Sequence, residues 1–279
     1  MQEFHYRINW RARGHIPGHH RSTQAGAGFE FYGHQDLTSG GDARRLDIRA
    51  SLRDPLQAWK VRLFAQRSAI PVVLIADVST SMRFQGQHNK WQTLTDFATA
   101  LAWSAARTGD LFSCVGCDVK VVPELFIPST LRRSATLELR QRLTQYQSKP
   151  GAQGLQHAID YLPRRRSLVF LASDFQYPLV DAAQIMNSLD GHDVVPVLLQ
   201  DPAEREAPQG RGLLRVKDLE SGAQRLLWLR PALRTRWQEA IAEREAALND
   251  LFRRHGRPAL QLNAPFKPDA VTAYFHESF

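Results

Sequence analysis

The residues best suited to chemistry in this sequence are one aspartate and two serines at alternate positions, Asp77, Ser79 and Ser81. In an extended or turning chain, alternate side chains can point to one place, which would bring a carboxylate and two hydroxyl groups together. These hard oxygen donors suit Mg²⁺ or Mn²⁺ and poorly suit a soft metal. An ion with so few charged ligands keeps net positive charge and exchangeable waters, so a carboxylate of another protein could bind it. The alternative is that Asp77 and the serines only cap and turn the chain before a helix.

Two short apolar segments that each lead into an aspartate help to decide between these interpretations. Residues 70–76 precede Asp77, and residues 167–172 precede Asp174 by one serine. Apolar runs of this length are typical of buried strands. Ligands of open parallel sheets bind beyond the carboxyl ends of the strands. We therefore expect Asp77 and Asp174 to share one edge of a sheet, which favours a metal site. We also expect Asp77 to lie in a surface loop and to contribute little to the core.

Segments with helical and strand patterns alternate along most of the chain. The helical segments are 91–107, 131–146, 155–162, 179–189, 232–255 and 269–276, and the strands are 70–76, 111–117, 119–127, 167–172, 194–199 and 259–262. This alternation predicts an α/β fold with a mostly parallel sheet flanked by helices. We predict an N-terminal extension of loops and short strands over residues 1–66. The α/β domain then covers residues 67–279, including a hairpin at 212–229 and C-terminal helices.

Composition and charge restrict the class of protein. With 279 residues, 43% hydrophobic and 23% charged, the chain is expected to be globular with a substantial core. The net charge of +8 could favour nucleic acid or another anionic surface. We favour the interpretation that the basic residues lie in solvated helix ends and loops, because the arginines are scattered and no recognisable nucleic-acid module accompanies them. Two cysteines, no signal-peptide pattern and no apolar run that could span a bilayer predict a cytoplasmic protein.

The sequence gives little support for catalysis. A phosphotransferase with Asp77 as its nucleophile would need a second acid two residues on, where this chain has Ser79. Neither a P-loop nor a G-x-S-x-G pattern occurs in the sequence. Cys114 and Cys117 have CxxC spacing, but residues three apart in a strand face opposite sides, so we expect ordinary core cysteines. We therefore expect a binding protein without enzymatic activity.

Several motifs together resemble known proteins. Asp77-x-Ser79-x-Ser81, followed by Met82, resembles the metal-ion-dependent adhesion site of von Willebrand factor A domains. Further segments resemble the bacterial family called domain of unknown function 58, and their order along the chain adds to the likeness. They are Gly-Phe-Glu-Phe at 28–31, Gly-Asp-Ala-Arg-Arg-Leu-Asp at 41–47, Val-Arg-Leu-Phe at 61–64, Gly-Asp at 109–110 and Val-Lys-Asp-Leu-Glu-Ser-Gly at 216–222. The resemblance covers most of the chain and implies a von Willebrand factor A-like, Rossmann-like fold.

The resemblance also implies a fuller ligand set and a class of partner. The family's site usually adds a threonine from a Gly-Gly-Thr loop, and Gln153 stands at that position here, within Gly151-Ala152-Gln153-Gly154. A glutamine carbonyl can ligate a hard cation, but the longer side chain loses more rotamer freedom, which predicts weak metal binding or none. Asp174 matches the family's distal aspartate, which acts through water. Relatives are associated with MoxR-type AAA+ ATPases as chaperone-like adaptors, so this chain is expected to bind such an ATPase and a client protein. Besides Gln153, the chain departs from the family pattern at Asp47-Ile48-Arg49. Relatives have tryptophan after this aspartate, and this chain has Ile48.

Overall fold

A computed structural model describes residues 2–14, 16–26, 30–205, 212–217 and 223–277. The family-like positions 28–29 and 218–222, and with them the turn of the predicted hairpin, lie outside the described residues. The chain forms two compact units, one comprising Ile8–Ile70 and the other comprising Met1–Arg7 together with Pro71–Phe279. Among the described residues, no helix is both long enough and apolar enough to cross a membrane.

The smaller unit is an antiparallel sheet with one short helix. Its elements are β1 (Pro17–Gly26), β2 (Glu30–Asp36), α1 (Ile48–Arg53) and β3 (Lys60–Ser68). The strand order is β1-β3-β2, so β3 is the central strand. Asp47 begins the helix, because its Oδ1 accepts a hydrogen bond of 3.1 Å from the backbone N–H of Ala50. Its Oδ2 accepts from Nε of Arg62 at 2.7 Å, which ties the start of α1 to β3.

The larger unit contains the predicted mostly parallel sheet. Its strands are β4 (Pro71–Asp77), β5 (Leu111–Cys117), β6 (Val121–Thr130), β7 (Leu168–Ser173), β8 (Asp193–Leu199), β9 (Gly212–Lys217), β10 (Gln224–Leu229) and β11 (Leu260–Leu262). Six of them form one sheet in the order β11-β8-β7-β4-β5-β6. Only β6 is antiparallel to its neighbour in this sheet. The predicted α/β fold is therefore confirmed, and β9 and β10 form the antiparallel pair predicted as a hairpin.

The strand order places a crevice at a definite point of the sheet. Counted in chain order within the sheet, the strands run 3-2-1-4-5-6, the order of a doubly wound fold. The first strand, β4, pairs in parallel with the fourth, β7, as predicted. Chain connections leave these two strands toward opposite sides, and the carboxyl ends of such a pair form the usual ligand crevice of open α/β sheets.

The larger unit also contains helices, and the longest ones bury side chains in its core. The helices are α2 (Lys90–Thr108), α3 (Ala135–Gln145), α4 (Leu179–Ser188), α5 (Pro202–Arg205), α6 (Pro231–Arg254) and α7 (Pro268–Glu277). Gly109 ends α2 in the left-handed conformation with φ 72°, which glycine adopts without strain. The segment predicted as a helix at 155–162 forms 3₁₀ turns over Gln153–Tyr161. Leu155 N–H bonds to the carbonyl of Ala152, three residues back, which is the 3₁₀ pattern.

The first residues of the chain pack with the larger unit and not with the extension predicted for residues 1–66. Phe4 is buried, and its ring stacks on that of Phe97 at 5.9 Å between centroids. The Phe4 N–H donates to Oγ of Ser104 at 3.0 Å, and the Tyr6 hydroxyl donates to Asp110 at 2.6 Å. Along the sequence, the boundaries between the two units therefore fall at 7–8 and at 70–71, whereas the sequence pattern predicts a single boundary at 66–67.

Candidate functional site

The Asp77-x-Ser79-x-Ser81 motif begins where the central strand β4 ends. Every residue of β4 is buried, and its last residue is Asp77. One carboxylate oxygen, Oδ1, accepts a hydrogen bond of 3.0 Å from the N–H of Ser79, so Asp77 does turn the chain as the alternative interpretation held. The turn also aims the two serines at one place, because Oγ of Ser79 lies 3.1 Å from Oγ of Ser81. The local sequence thus produces both the turn and a convergence of oxygen donors.

Asp77 is more deeply buried than the sequence indicated. Its exposed fraction is 0%, so the prediction of a surface loop is wrong. The reason is its place at the end of the middle strand pair, between β5 and β7. Its second oxygen, Oδ2, accepts from the hydroxyl of Ser173 at 2.6 Å. Burial, reinforced by the charge of Asp174, raises the pKa of Asp77 to about 7 despite the hydrogen bonds from Ser173 and Ser79.

Asp174 lies at the same edge of the sheet, directly after β7. The predicted pairing of the two aspartates on one edge is confirmed, since β4 and β7 are parallel neighbours, Asp77 is the last residue of β4 and Asp174 directly follows β7. Asp174 is buried, and its Oδ1 accepts from the N–H of Gln176 at 3.1 Å. Its Oδ2 accepts from Nζ of Lys90 at 2.7 Å. Both oxygens of Asp174 therefore have donors within the chain.

A strained backbone conformation follows Asp174. Phe175 has φ 53°, in the left-handed region that a bulky side chain rarely adopts. Its N–H donates to Oγ of Ser173 at 2.9 Å, and its carbonyl accepts from a terminal guanidinium nitrogen of Arg244 on α6 at 2.5 Å. Its ring packs edge-on against Phe252, with 4.9 Å between centroids. Contacts on both sides hold the strain, and strain of this kind is concentrated at functional sites.

The loop expected to supply a further ligand leads into the 3₁₀ segment that begins at Gln153. Gly154 fixes this loop beside the sheet edge, since its N–H donates to the carbonyl of Asp118 at 2.9 Å. Gln153 is exposed, and its Oε1 lies only 2.3 Å from the position a Cβ would take on Gly151. Among the described residues, the structure records no contact between the Gln153 amide and the oxygens of the Asp77 motif.

Lys90 is the functional residue that sequence reasoning missed. Its side chain is 2% exposed, and Nζ lies 2.7 Å from Oδ2 of Asp174 and 2.7 Å from Oε1 of Glu204. Burial by itself would lower the pKa of Lys90, but the two carboxylates outweigh it and raise the pKa, so the ammonium stays charged. The sequence gives no signal for this, because a lysine at the start of an amphipathic helix is ordinarily solvated.

A second buried carboxylate fixes the segment that leads into Lys90. Asp201 accepts hydrogen bonds from the backbone N–H groups of Gln87, at 3.1 Å, and His88, at 2.6 Å. Its own N–H donates to Oε2 of Glu204 at 3.0 Å. Burial acts to raise the pKa of Asp201, but the backbone donors outweigh it and lower the pKa. Glu204 thus links this clamp to the ammonium of Lys90.

The donor set fits a hard cation held on one side. The described residues include no cluster of three or more His, Cys, Asp or Glu side chains, so a zinc-type or carboxylate-rich cage does not occur among them. Asp77, Ser79 and Ser81 present one carboxylate and two hydroxyls, which suit Mg²⁺ or Mn²⁺. In the part of the chain that the structure describes, Asp77 forms no ion pair, and a buried carboxylate without a cation is costly. A cation at this motif would offset that cost.

The two cysteines do not add a second chemistry. Cys114 and Cys117 are both buried in β5 with free thiols. Burial raises the pKa of Cys114 to about 12 and raises that of Cys117 well above its usual value. Both thiols therefore stay protonated at neutral pH, as expected of core cysteines.

Comparison with known proteins gives uncharacterized relatives and solved structures of low similarity. An uncharacterized protein of Mycobacterium tuberculosis is 27% identical over 263 residues, which is 91% of this chain and 81% of that protein. A protein of Paracoccus denitrificans, named for its position in the moxR 3′ region, is 31% identical over 102 residues, 36% of this chain and 96% of that protein. The structure of an aerotolerance-related membrane protein from Bacteroides fragilis aligns with a TM-score of 0.47 and 14% identity, covering 75% of this chain and 98% of that one.

The family model described as Protein of unknown function DUF58 matches residues 35–247, which includes both aspartates, both serines and Lys90. The match covers most of the chain and confirms the resemblance inferred from the motifs. The chain therefore belongs to the DUF58 family.

Proposed function

We propose that this chain binds partner proteins through a divalent cation held by Asp77, Ser79 and Ser81. The observation that carries the proposal is the Asp77 carboxylate, fully buried and without an ion pair among the described residues, beside two converging hydroxyls. A cation there would be bound by one carboxylate only, so it would keep positive charge and exchangeable waters. An acidic side chain of a partner could replace a water and become a ligand. Binding, and not catalysis, is the role that these residues support.

A MoxR-type AAA+ ATPase is the partner that we propose, with assembly or maturation of client proteins as the shared task. Membership of the DUF58 family supports this, together with the relative from Paracoccus denitrificans whose name places it in the moxR 3′ region. The crevice between β4 and β7 is at the position where open α/β sheets usually bind ligands, so a protruding carboxylate of the partner would approach the cation there.

The test is capture of the MoxR-type ATPase encoded in the same genome by immobilised protein, with Mg²⁺ and with EDTA. The variant is Asp77→Asn, which keeps the side-chain shape at a buried position. The matched control is Asp160→Asn, since Asp160 is an exposed aspartate in the nearby 3₁₀ segment. We expect capture in Mg²⁺ by the wild type and the control, and loss of capture in EDTA or with Asp77→Asn. Capture that neither EDTA nor Asp77→Asn alters would show that the interaction does not use this site.

One observation favours a second candidate, binding to an anionic surface by the smaller unit. On α1, Ile48 and Leu52 are four residues apart and are 60% and 80% exposed, with the exposed Arg49 and Arg53 beside them. Apolar and cationic side chains together are typical of surfaces that bind anionic membranes. Co-sedimentation with vesicles containing phosphatidylglycerol should then weaken steeply with salt. Equal sedimentation with neutral phosphatidylcholine vesicles would count against this candidate.

A further inference from the structure

Lys90 forms an ion pair with Asp174, the second aspartate at the sheet edge where β4 and β7 end. Its Nζ donates to Oδ2 of Asp174 and to Oε1 of Glu204, both at 2.7 Å, and the side chain is almost fully buried. The other oxygen of Asp174 accepts from the N–H of Gln176. Asp174 is therefore already paired with a cation of the chain and accepts a hydrogen bond at each oxygen, whereas the Ser79 and Ser173 donors to Asp77 are neutral.

Apart from the two carboxylates, the surroundings of Lys90 disfavour a positive charge. It is buried, and it is the first residue of α2, where the helix dipole disfavours a positive charge. The segment before it cannot easily swing away, because Asp201 holds the N–H groups of Gln87 and His88. Glu204 joins that clamp to the ammonium through the N–H of Asp201. The ammonium of Lys90 is thus held by Asp174 and Glu204 directly, and the segment before it is held by Asp201.

We infer that Lys90 is an internal cation that takes the place of a metal at Asp174 and so limits the affinity of the Asp77 motif for a divalent ion. Two effects act together. The ammonium engages the carboxylate that would otherwise attract the ion, and it repels a second positive charge in the same poorly solvated crevice. The inference rests on the proposed function, and it implies that firm metal binding requires a carboxylate from the partner.

The first test is isothermal titration of Mn²⁺ into the wild type, Lys90→Met and Lys120→Met. Lys120 is an exposed lysine beside the same sheet edge, so its variant loses the same charge without changing Asp174. We expect Lys90→Met to bind Mn²⁺ at least about tenfold more tightly than the wild type, and Lys120→Met to change affinity by less than about threefold. Unchanged or weaker binding by Lys90→Met, or an equal gain in Lys120→Met, would overturn the inference.

A second variant keeps the inference testable if Lys90→Met leaves two buried carboxylates that prevent folding. Lys90→Gln/Asp174→Asn removes the pair together and leaves no unpaired charge at Asp174. If the ammonium and the carboxylate only cancel each other, Mn²⁺ affinity should stay within about threefold of the wild type. A loss of more than about tenfold would show that Asp174 already supports the ion, and would refute the role given to Lys90. Absence of Mn²⁺ binding in all variants would overturn the proposed function and this inference, whereas binding with no response to Lys90 overturns the inference alone.

Discussion

Replacing Asp77 with asparagine should stabilise the metal-free protein at alkaline pH and have little effect at acidic pH. Asparagine has nearly the shape of the protonated carboxyl group, and its oxygen can still accept from the N–H of Ser79. In the wild type the hydroxyl of Ser173 donates to Asp77. In the variant the direction can reverse, with the asparagine N–H₂ donating to Oγ of Ser173. The main change is the loss of a buried negative charge that has no cationic partner in the described part of the chain.

The magnitude follows from the raised pKa of Asp77. Its value of about 7 in the folded protein compares with 3.8 for the ordinary side chain, a difference of about three pH units. Between these values the folded protein holds a proton that the unfolded chain has released, so stability falls as pH rises through this window. At about 1.36 kcal/mol per unit, the buried charge costs up to about 4 kcal/mol above pH 7. Asp77→Asn avoids this cost.

The assay is urea unfolding in EDTA at pH 5 and pH 8, with Asp160→Asn as the exposed control. We expect the stability difference between Asp77→Asn and the wild type to increase by roughly 2–4 kcal/mol from pH 5 to pH 8, and the control to show no such increase. Mg²⁺ should reduce the difference at pH 8, because it stabilises the ionised wild type and has no carboxylate to bind in the variant. A difference that is the same at both pH values would refute the assignment of a buried, uncompensated charge.

Three further substitutions test the packing that positions the site. Asp193→Ala should lower the free energy of unfolding by about 3–5 kcal/mol, because it leaves the guanidinium of Arg257 buried without its bidentate partner. Phe4→Ala should cost about 3–5 kcal/mol in urea unfolding if the first residues belong to the core of the larger unit, and a change below about 1 kcal/mol would contradict that packing. Gly154→Ala should cost about 1–3 kcal/mol, because a Cβ would lie 2.3 Å from the backbone carbonyl carbon of Lys120. Unchanged urea midpoints for Asp193→Ala or Gly154→Ala would contradict the corresponding contact.

The sequence predicts the sheet well because its signals are local. Apolar runs of five to seven residues mark β4 and β7, and the helical periodicity between them forces a parallel crossover. The shared edge of Asp77 and Asp174 then follows from topology alone. The oxygen donors of the motif are equally local, since Ser79 and Ser81 are brought together by one turn.

Features that depend on distant parts of the chain are not predicted. The partners of Lys90 lie 84 and 114 residues away in sequence, so nothing around residue 90 indicates that the lysine is buried. The burial of Asp77 depends on strands on both sides, and the packing of Phe4 depends on a ring 93 positions later. In each case the deciding contact is a tertiary one.

The central claim, that a divalent cation binds at Asp77, is tested most directly by anomalous diffraction from crystals grown in millimolar Mn²⁺. We predict an anomalous peak about 2.0–2.5 Å from an Asp77 carboxylate oxygen and from the hydroxyls of Ser79 and Ser81. The peak should be absent from crystals of Asp77→Asn grown under the same conditions. A Mn²⁺ peak that is missing at this motif in the wild type, or that persists unchanged in Asp77→Asn, would contradict the account.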